Sequence, residues 1–131
     1  MIEEAKIHVR FSDLDLLGHV NNAVYLSYFE IARVHYFKEI LGLDWDWRTH
    51  TVLLVKNEVE YIKPILLHDD VRISLFTTSI GNKSFTLRYE VMVDNELRAK
   101  GSSVLVSFNA VEQQTILIPE AMKIALDKIK E

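Results

Sequence analysis

Arg10 to Gly42 reads RFSDLDLLGHVNNAVYLSYFEIARVHYFKEILG, and the fold turns on how this stretch divides. Ahead of it, Lys6 to Ser12 alternates. Ile7, Val9 and Phe11 point one way, and Lys6, His8, Arg10 and Ser12 the other, which predicts a half-buried strand with His8 on its solvent side. Asp13 to Asn22 is an acidic turn containing Gly18, and Asn21 or Asn22 suits the N-cap of a helix. From Ala23 to Leu41 the pattern is helical. One face reads Val24, Tyr28, Ile31, Ala32, His35 and Glu39, and a second flank carries Leu26, Phe29, Phe37, Ile40 and Leu41. A helix apolar over more than half its circumference calls for a concave partner such as a curled sheet. Its five aromatics read as core, and Gly42 suits the helix C-terminus.

Beyond the helix, Leu43 to Thr49 carries both tryptophans and reads as an irregular link with the rings packed inward. Thr51 to Lys63 is a long strand ended by Pro64. Val71 to Ser79 buries Val71, Ile73 and Leu75. After a tight turn at Gly81–Ser84, Phe85 to Val93 buries every second residue. Asp94 to Glu96 turns again, and Leu97 to Asn109 changes parity near Gly101–Ser103, which suggests a bulge there. The small run Ala99, Gly101, Ser102, Ser103 predicts a close approach of helix or backbone at Gly101. Pro119 suits the first position of a terminal helix that buries Ile118, Met122, Ala125, Leu126 and Ile129. The class is α+β, with a long helix against one antiparallel sheet and a short C-terminal helix.

With 131 residues, 49% hydrophobic and 26% charged, the chain is sized and composed for one domain over residues 1–131. A formal charge of -4 disfavours a phosphate backbone as partner, so no nucleic acid is expected. The absence of cysteine removes disulfides, thiolate nucleophiles and Cys-ligated zinc. The start MIEEAKIHV does not read as a signal peptide, and no run approaches the roughly 18 apolar residues of a membrane span. A cytoplasmic protein without a membrane partner is the expectation.

The chemistry gathers in the turn before the long helix. Asp13, Asp15, His19, Asn21 and Asn22 fall within ten positions. A helix N-terminus offers unpaired N–H groups and a positive dipole end. A carboxylate beside it supplies the two parts of an acyl-transfer site: a group that attacks or activates water, and donors for the oxyanion. Ser12 has no third partner for a serine triad, and Asp13, Asp15 and His19 lack a recognisable metal spacing. No metal or other cofactor is expected.

Asp13-Leu14-Asp15-Leu16-Leu17-Gly18-His19-Val20-Asn21-Asn22, followed by Tyr25 and Glu30-Ile31-Ala32-Arg33, resembles the hotdog-fold acyl-CoA thioesterases, in particular the 4-hydroxybenzoyl-CoA thioesterase type and its long-chain acyl-CoA relatives. The likeness runs on through Val59–Pro64, Asp69–Val71 and Gly81–Phe85, nearly the whole chain. It implies a sheet wrapped around the long helix, an acyl-CoA substrate, and a homodimer or dimer of dimers with sites across the interface.

In that family the second Asp of the motif is the catalytic carboxylate, which places the role on Asp15, as nucleophile or general base. The resemblance puts His19 and Asn22 beside it, with the backbone near Asn22 holding the thioester carbonyl oxygen. It extends a substrate-binding set to Gly18, Val20, Asn21, Tyr25, Lys83 and Ser84. His19 reads equally as a partner of Asp15 or as a turn residue. Asp13 reads as structural, Asn21 and Asn22 as caps, and Lys83 as a phosphate neighbour or a solvated turn lysine. Leu17 stands where plant acyl-carrier-protein thioesterases have asparagine, and Gly81-Asn82 where the 4-hydroxybenzoyl-CoA enzyme has arginines. Two other classes share such a fold: a non-catalytic acyl-thioester binding module and a hotdog dehydratase or hydratase.

Overall fold

The computed structural model describes residues 2–131. The first strand stops earlier than the alternation suggests. β1 covers only Ala5–Ile7, with Ala5 and Ile7 inward. The chain then leaves the sheet, and Phe11–Asp13 forms one 3-10 turn with Phe11 81% exposed. The cause is local. The Asp13 carboxylate accepts the Arg10 N–H at 3.0 Å, and Asp13 N–H donates to the Arg10 carbonyl at 2.9 Å. These bonds compete with a sheet ladder and win.

The long helix, α1, is Val24–Leu41, about 27 Å of rise. It buries Tyr25, Tyr28, Phe29, Ala32, Tyr36, Phe37 and Ile40, a three-and-four spacing that includes all five aromatics. The expected faces are therefore corrected. Ile31 and Glu39 are exposed, Val24 and His35 are half-buried, and Leu26 also reaches solvent. The chain alone does not enclose α1 on every side. Val34 is 64% exposed. Gly42 ends the helix at φ 82°, a left-handed conformation suited to glycine, with its N–H on the Lys38 carbonyl.

Five further strands follow: β2 Thr51–Tyr61, β3 Val71–Ile80, β4 Ser84–Val93, β5 Glu96–Asn109 and β6 Gln114–Thr115. The order is β1-β3-β4-β5-β2, antiparallel throughout, with β6 on β5. The β4–β5 turn is only Asp94-Asn95, both at positive φ, the two-residue connection whose twist suits a hairpin. Val71, Ile73 and Leu75 of β3 and alternate residues Phe85 to Val93 of β4 form the inner face, as the alternation requires.

On β5 the inner face is Ala99, Gly101, Ser103, Leu105 and Ser107, with no change of parity at Gly101–Ser103. At Gly101 the side chain is absent because the Phe29 ring of α1 lies over it. The β5 bulge sits at Arg98 instead, since Val91 pairs with Ala99 and Met92 with Leu97. A second falls at Val55 of β2, between the pairs Leu54–Leu105 and Lys56–Val104. The terminal helix, α2, is Glu120–Asp127, with Pro119 just ahead of it rather than at its first position. Ile118, Met122, Ala125, Leu126 and Ile129 are buried, as their spacing implies. The result is the hotdog arrangement, with the inner sheet face on the long helix and a short helix at the C-terminus.

Candidate active site

The turn from Asp13 to Asn22 is held at both ends. Asn21 N–H donates to the Asp13 carbonyl at 2.9 Å, and Val20 N–H donates to the Ile65 carbonyl at 2.8 Å. Gly18 adopts φ 79° and donates to the Asp15 carbonyl, so its part is to let the loop reverse.

Asp13 is 2% exposed and fully engaged. Its oxygens accept from the Arg10 backbone and guanidinium and from the Tyr28 hydroxyl at 2.8 Å. Burial alone raises its pKa, but the Arg10 N–H, the Tyr28 hydroxyl and the guanidinium together hold it below the usual carboxylate value. Burial and the neighbouring Asp13 carboxylate push the Tyr28 hydroxyl well up. Asp13 thus ties the loop to α1. A group with a depressed folded pKa stabilises above its unfolded value, here near 3.8, and that stability is lost as pH falls through the lower folded value. Asp13→Asn should cost about 1.5–3 kcal/mol, the range for a bond to a charged group. Urea titrations from pH 5 to pH 2 check this: the wild type should lose more stability over that window than the variant. Parallel losses would count against it.

Asp15 sits differently. It is exposed, and only Oδ1 is held, by the N–H groups of Leu17 at 2.9 Å and His19 at 3.1 Å. Among the described residues Oδ2 has no partner. The carboxylate is fixed in orientation and keeps one oxygen free. Asp15 lines a cleft of about 270 Å³ with His19, Val20, Asn22 and Tyr25. The other wall is Tyr61–Pro64, at the end of β2 and just past it.

His19 meets Asp15 through the main chain. Asp15 N–H donates to the His19 carbonyl at 2.7 Å, and the half-buried imidazole lines the cleft without bonding the carboxylate. Neither asparagine is the N-cap residue, which is Ala23; Asn21 instead closes a turn just ahead of the helix, its side-chain oxygen accepting the Ala23 N–H at 2.9 Å. Asn22 is not a side-chain cap. Its carbonyl accepts the Tyr61 hydroxyl at 2.7 Å, and among the described residues its own N–H has no acceptor. That leaves an unpaired donor just ahead of α1, at the helix's positive end, on a residue lining the same cleft as Asp15.

Asp15, His19, Val20, Asn22 and Tyr25 are therefore brought together, while Gly18 and Asn21 support them from the turn. Lys83 and Ser84 are not with them. They lie at the β3–β4 turn, across about 30 Å of strand from the end where Val71 meets Ile7. Lys83 instead edges a groove with Thr49, His50 and Asn109. Tyr61 is the residue that sequence reasoning left without a role. It packs edge-on against Tyr25 with centroids 4.9 Å apart while holding Asn22, and the signal for it was the strand-ending Tyr61-Ile62-Lys63-Pro64. Trp47 also differs from expectation. It is 38% exposed and lines a groove rather than packing away.

Comparison with known proteins shows the family. Residues 9–126 match the model of the thioesterase-like superfamily. The chain is 38% identical to a thioesterase of Thermus thermophilus solved with coenzyme A and zinc, with a TM-score of 0.85 over 98% of this chain and 93% of that one. It is 34% identical to the uncharacterized protein YsmA of Bacillus subtilis over 64% of this chain and 56% of that protein, so it spans little more than half of that relative's length. It is 26% identical to the long-chain acyl-CoA thioesterase FadM of Escherichia coli, over 86% of this chain and 85% of that one. With the family match covering nearly the whole length of a hotdog fold, the chain belongs to the thioesterase-like superfamily.

Proposed function

We propose that this chain, one domain over residues 1–131, hydrolyses the thioester of a fatty or aryl acyl-CoA to the free acid and CoA, with Asp15 as the reacting carboxylate. The observation that carries the reading is the half-anchored Asp15: Oδ1 is held by two N–H groups, Oδ2 is free, and Asn22, whose N–H is unpaired among the described residues, lines the same cleft. In the general-base form, Oδ2 takes a proton from water while the water oxygen bonds to the carbonyl carbon. The carbonyl oxygen gains the electron pair and is held by Asn22 N–H. Collapse breaks the C–S bond, and the thiolate of CoA takes the proton back from Asp15. In the nucleophilic form, Oδ2 itself bonds to the carbonyl carbon, CoA leaves, and water cleaves the anhydride. A thiol reagent following CoA release across acyl-CoAs of graded length and aromaticity tests the activity. No release from any of them would overturn it in favour of a thioester-binding module.

The reading also calls for a homo-oligomer in a cytoplasmic setting. β2 is an 11-residue strand paired on one edge only, and Leu53, Leu54 and Val55 are exposed along it. A second copy pairing there would cover them together with Leu26 and Val34 of α1. It would also bring a Lys83–Ser84 turn toward an Asp15 from the other chain. Sedimentation at micromolar protein should show a dimer or larger; a species of 15.2 kDa alone would count against it.

A further inference from the structure

Two peptide groups flank the Asn22 α-carbon, and both are fixed. The Asn21 carbonyl accepts the Val24 N–H at 2.9 Å. In a trans peptide the N–H points opposite to the carbonyl, so the Asn22 N–H is turned away from the body of α1. The next peptide is held at both ends. The Asn22 carbonyl accepts the Tyr61 hydroxyl at 2.7 Å, and the Ala23 N–H donates to Asn21 Oδ1 at 2.9 Å. Of these three bonds, two stay within Asn21–Val24 and would move with that segment. The Tyr61 bond is the one that ties Asn22 to the sheet.

Tyr61 is built to serve as a fixed point. It is the last residue of β2 and pairs with Ala99. The next two N–H groups, of Ile62 and Lys63, both donate to the Arg98 carbonyl, at 2.9 and 3.0 Å. That carbonyl belongs to the β5 bulge, and Arg98 Nη1 reaches back to the Pro64 carbonyl. The turn bearing Asp15 docks on the same segment, because Val20 N–H donates to the Ile65 carbonyl. Asp15 and the Asn22 N–H are thus both anchored on the stretch from Tyr61 to Ile65. An oxyanion donor lowers the barrier to the extent that its direction is set before charge develops on the carbonyl oxygen. We propose that Tyr61 is a positioning residue: its hydroxyl holds the Asn22 peptide so that the N–H faces the thioester carbonyl. This rests on the hydrolase reading above and deepens it.

Tyr61→Phe keeps the ring that packs edge-on against Tyr25 and removes the donor. The substrates are dodecanoyl-CoA and benzoyl-CoA, one fatty ester and one aryl ester. For the ester that is cleaved, kcat should fall roughly tenfold or more while KM stays within about twofold, the pattern of a contact made in the transition state. A tyrosine that merely braces the fold would lower the melting temperature and leave kcat of the folded protein alone. A second measurement reads the donor directly. Asp15→Asn protein should hold the ester uncleaved, and the infrared carbonyl stretch of the bound, 13C-labelled thioester reports its hydrogen bond. Adding Tyr61→Phe should move that stretch to higher wavenumber, because the bond from Asn22 N–H is weakened. An unchanged kcat in Tyr61→Phe, or a stretch that does not move, overturns the positioning role and leaves the hydrolase reading standing. If the wild type releases CoA from neither ester, the hydrolase reading fails for both classes. The stretch, compared in wild type and Tyr61→Phe, then still decides whether Tyr61 sets the donor.

Discussion

Asp15→Asn is expected to lower thioester turnover by about two to four orders of magnitude, the scale for losing general-base assistance or more for a lost nucleophile. The substitution keeps side-chain volume and an acceptor oxygen, so the bonds from the Leu17 and His19 N–H groups can persist and the loop should hold its shape. What goes is the charge on the free oxygen. Substrate affinity should survive or rise, because a negative charge beside the thioester has been removed. The melting curve should barely move, since Asp15 is exposed and its bonds stay within its own turn. Asp13→Asn is the control. Asp13 lies two positions away, has the same chemistry, and is buried against Tyr28 and Arg10. Its substitution should cost stability first and turnover far less. Equal losses of turnover at matched folding would mean that the two carboxylates act as a unit. A fully active Asp15→Asn protein would remove Asp15 from the reaction.

That contrast shows what the sequence could disclose. D-x-D-x-x-G-H-V-N-N located the turn, and the resemblance separated the two aspartates; the structure supplies the physical difference, one carboxylate spent on Tyr28 and Arg10 and the other half free. The antiparallel strands β3 and β4 were legible because one face is buried along their length, so alternation reports it directly. The helix face was not, because apolar residues occur around most of α1. Some fill the core, and others, such as Val34, lie outside it, so periodicity had no single side to find.

The end of β1 was misread for a different reason. Alternation from Lys6 to Ser12 is real, but the Asp13–Arg10 bonds act locally and override it. The β5 bulge was displaced from its expected place by Arg98, whose guanidinium reaches the Pro64 carbonyl and Asp69 and Glu96 carboxylates. Glu96 is two residues away, but Pro64 and Asp69 are remote in sequence and nothing near Arg98 announces them. The groove that Trp47 lines was equally silent, being a property of the space between α1 and β2 rather than of either segment.

Gly101→Val should be the most destabilising single change considered, at about 2–4 kcal/mol, combining overpacking with a main-chain clash. For a chain of this size that is on the order of 10 °C in melting temperature. Gly101 is not needed for a left-handed turn, since the positive-φ glycines are Gly18 and Gly42. It is needed for space. A Cβ at this position would stand 2.6 Å from Phe29 Cε2 and 2.7 Å from both Phe29 Cζ and the Glu58 carbonyl oxygen. Neither neighbour yields cheaply. Phe29 is fully buried and stacked on Tyr89 at 4.0 Å and 6°. Glu58 belongs to the β2–β5 ladder, in which Val59 pairs with Gly101. Alanine should already destabilise, because the clash is with Cβ itself, and valine should add to it. Phe29→Leu in the Gly101→Ala background separates the two sources: removing the ring should return part of the loss, while the Glu58 carbonyl keeps the rest. Thermal melts of the three variants against wild type give the answer. An unchanged curve for Gly101→Val would mean that α1 and β2 can move apart at this point, and the close approach of Phe29 would no longer explain the glycine.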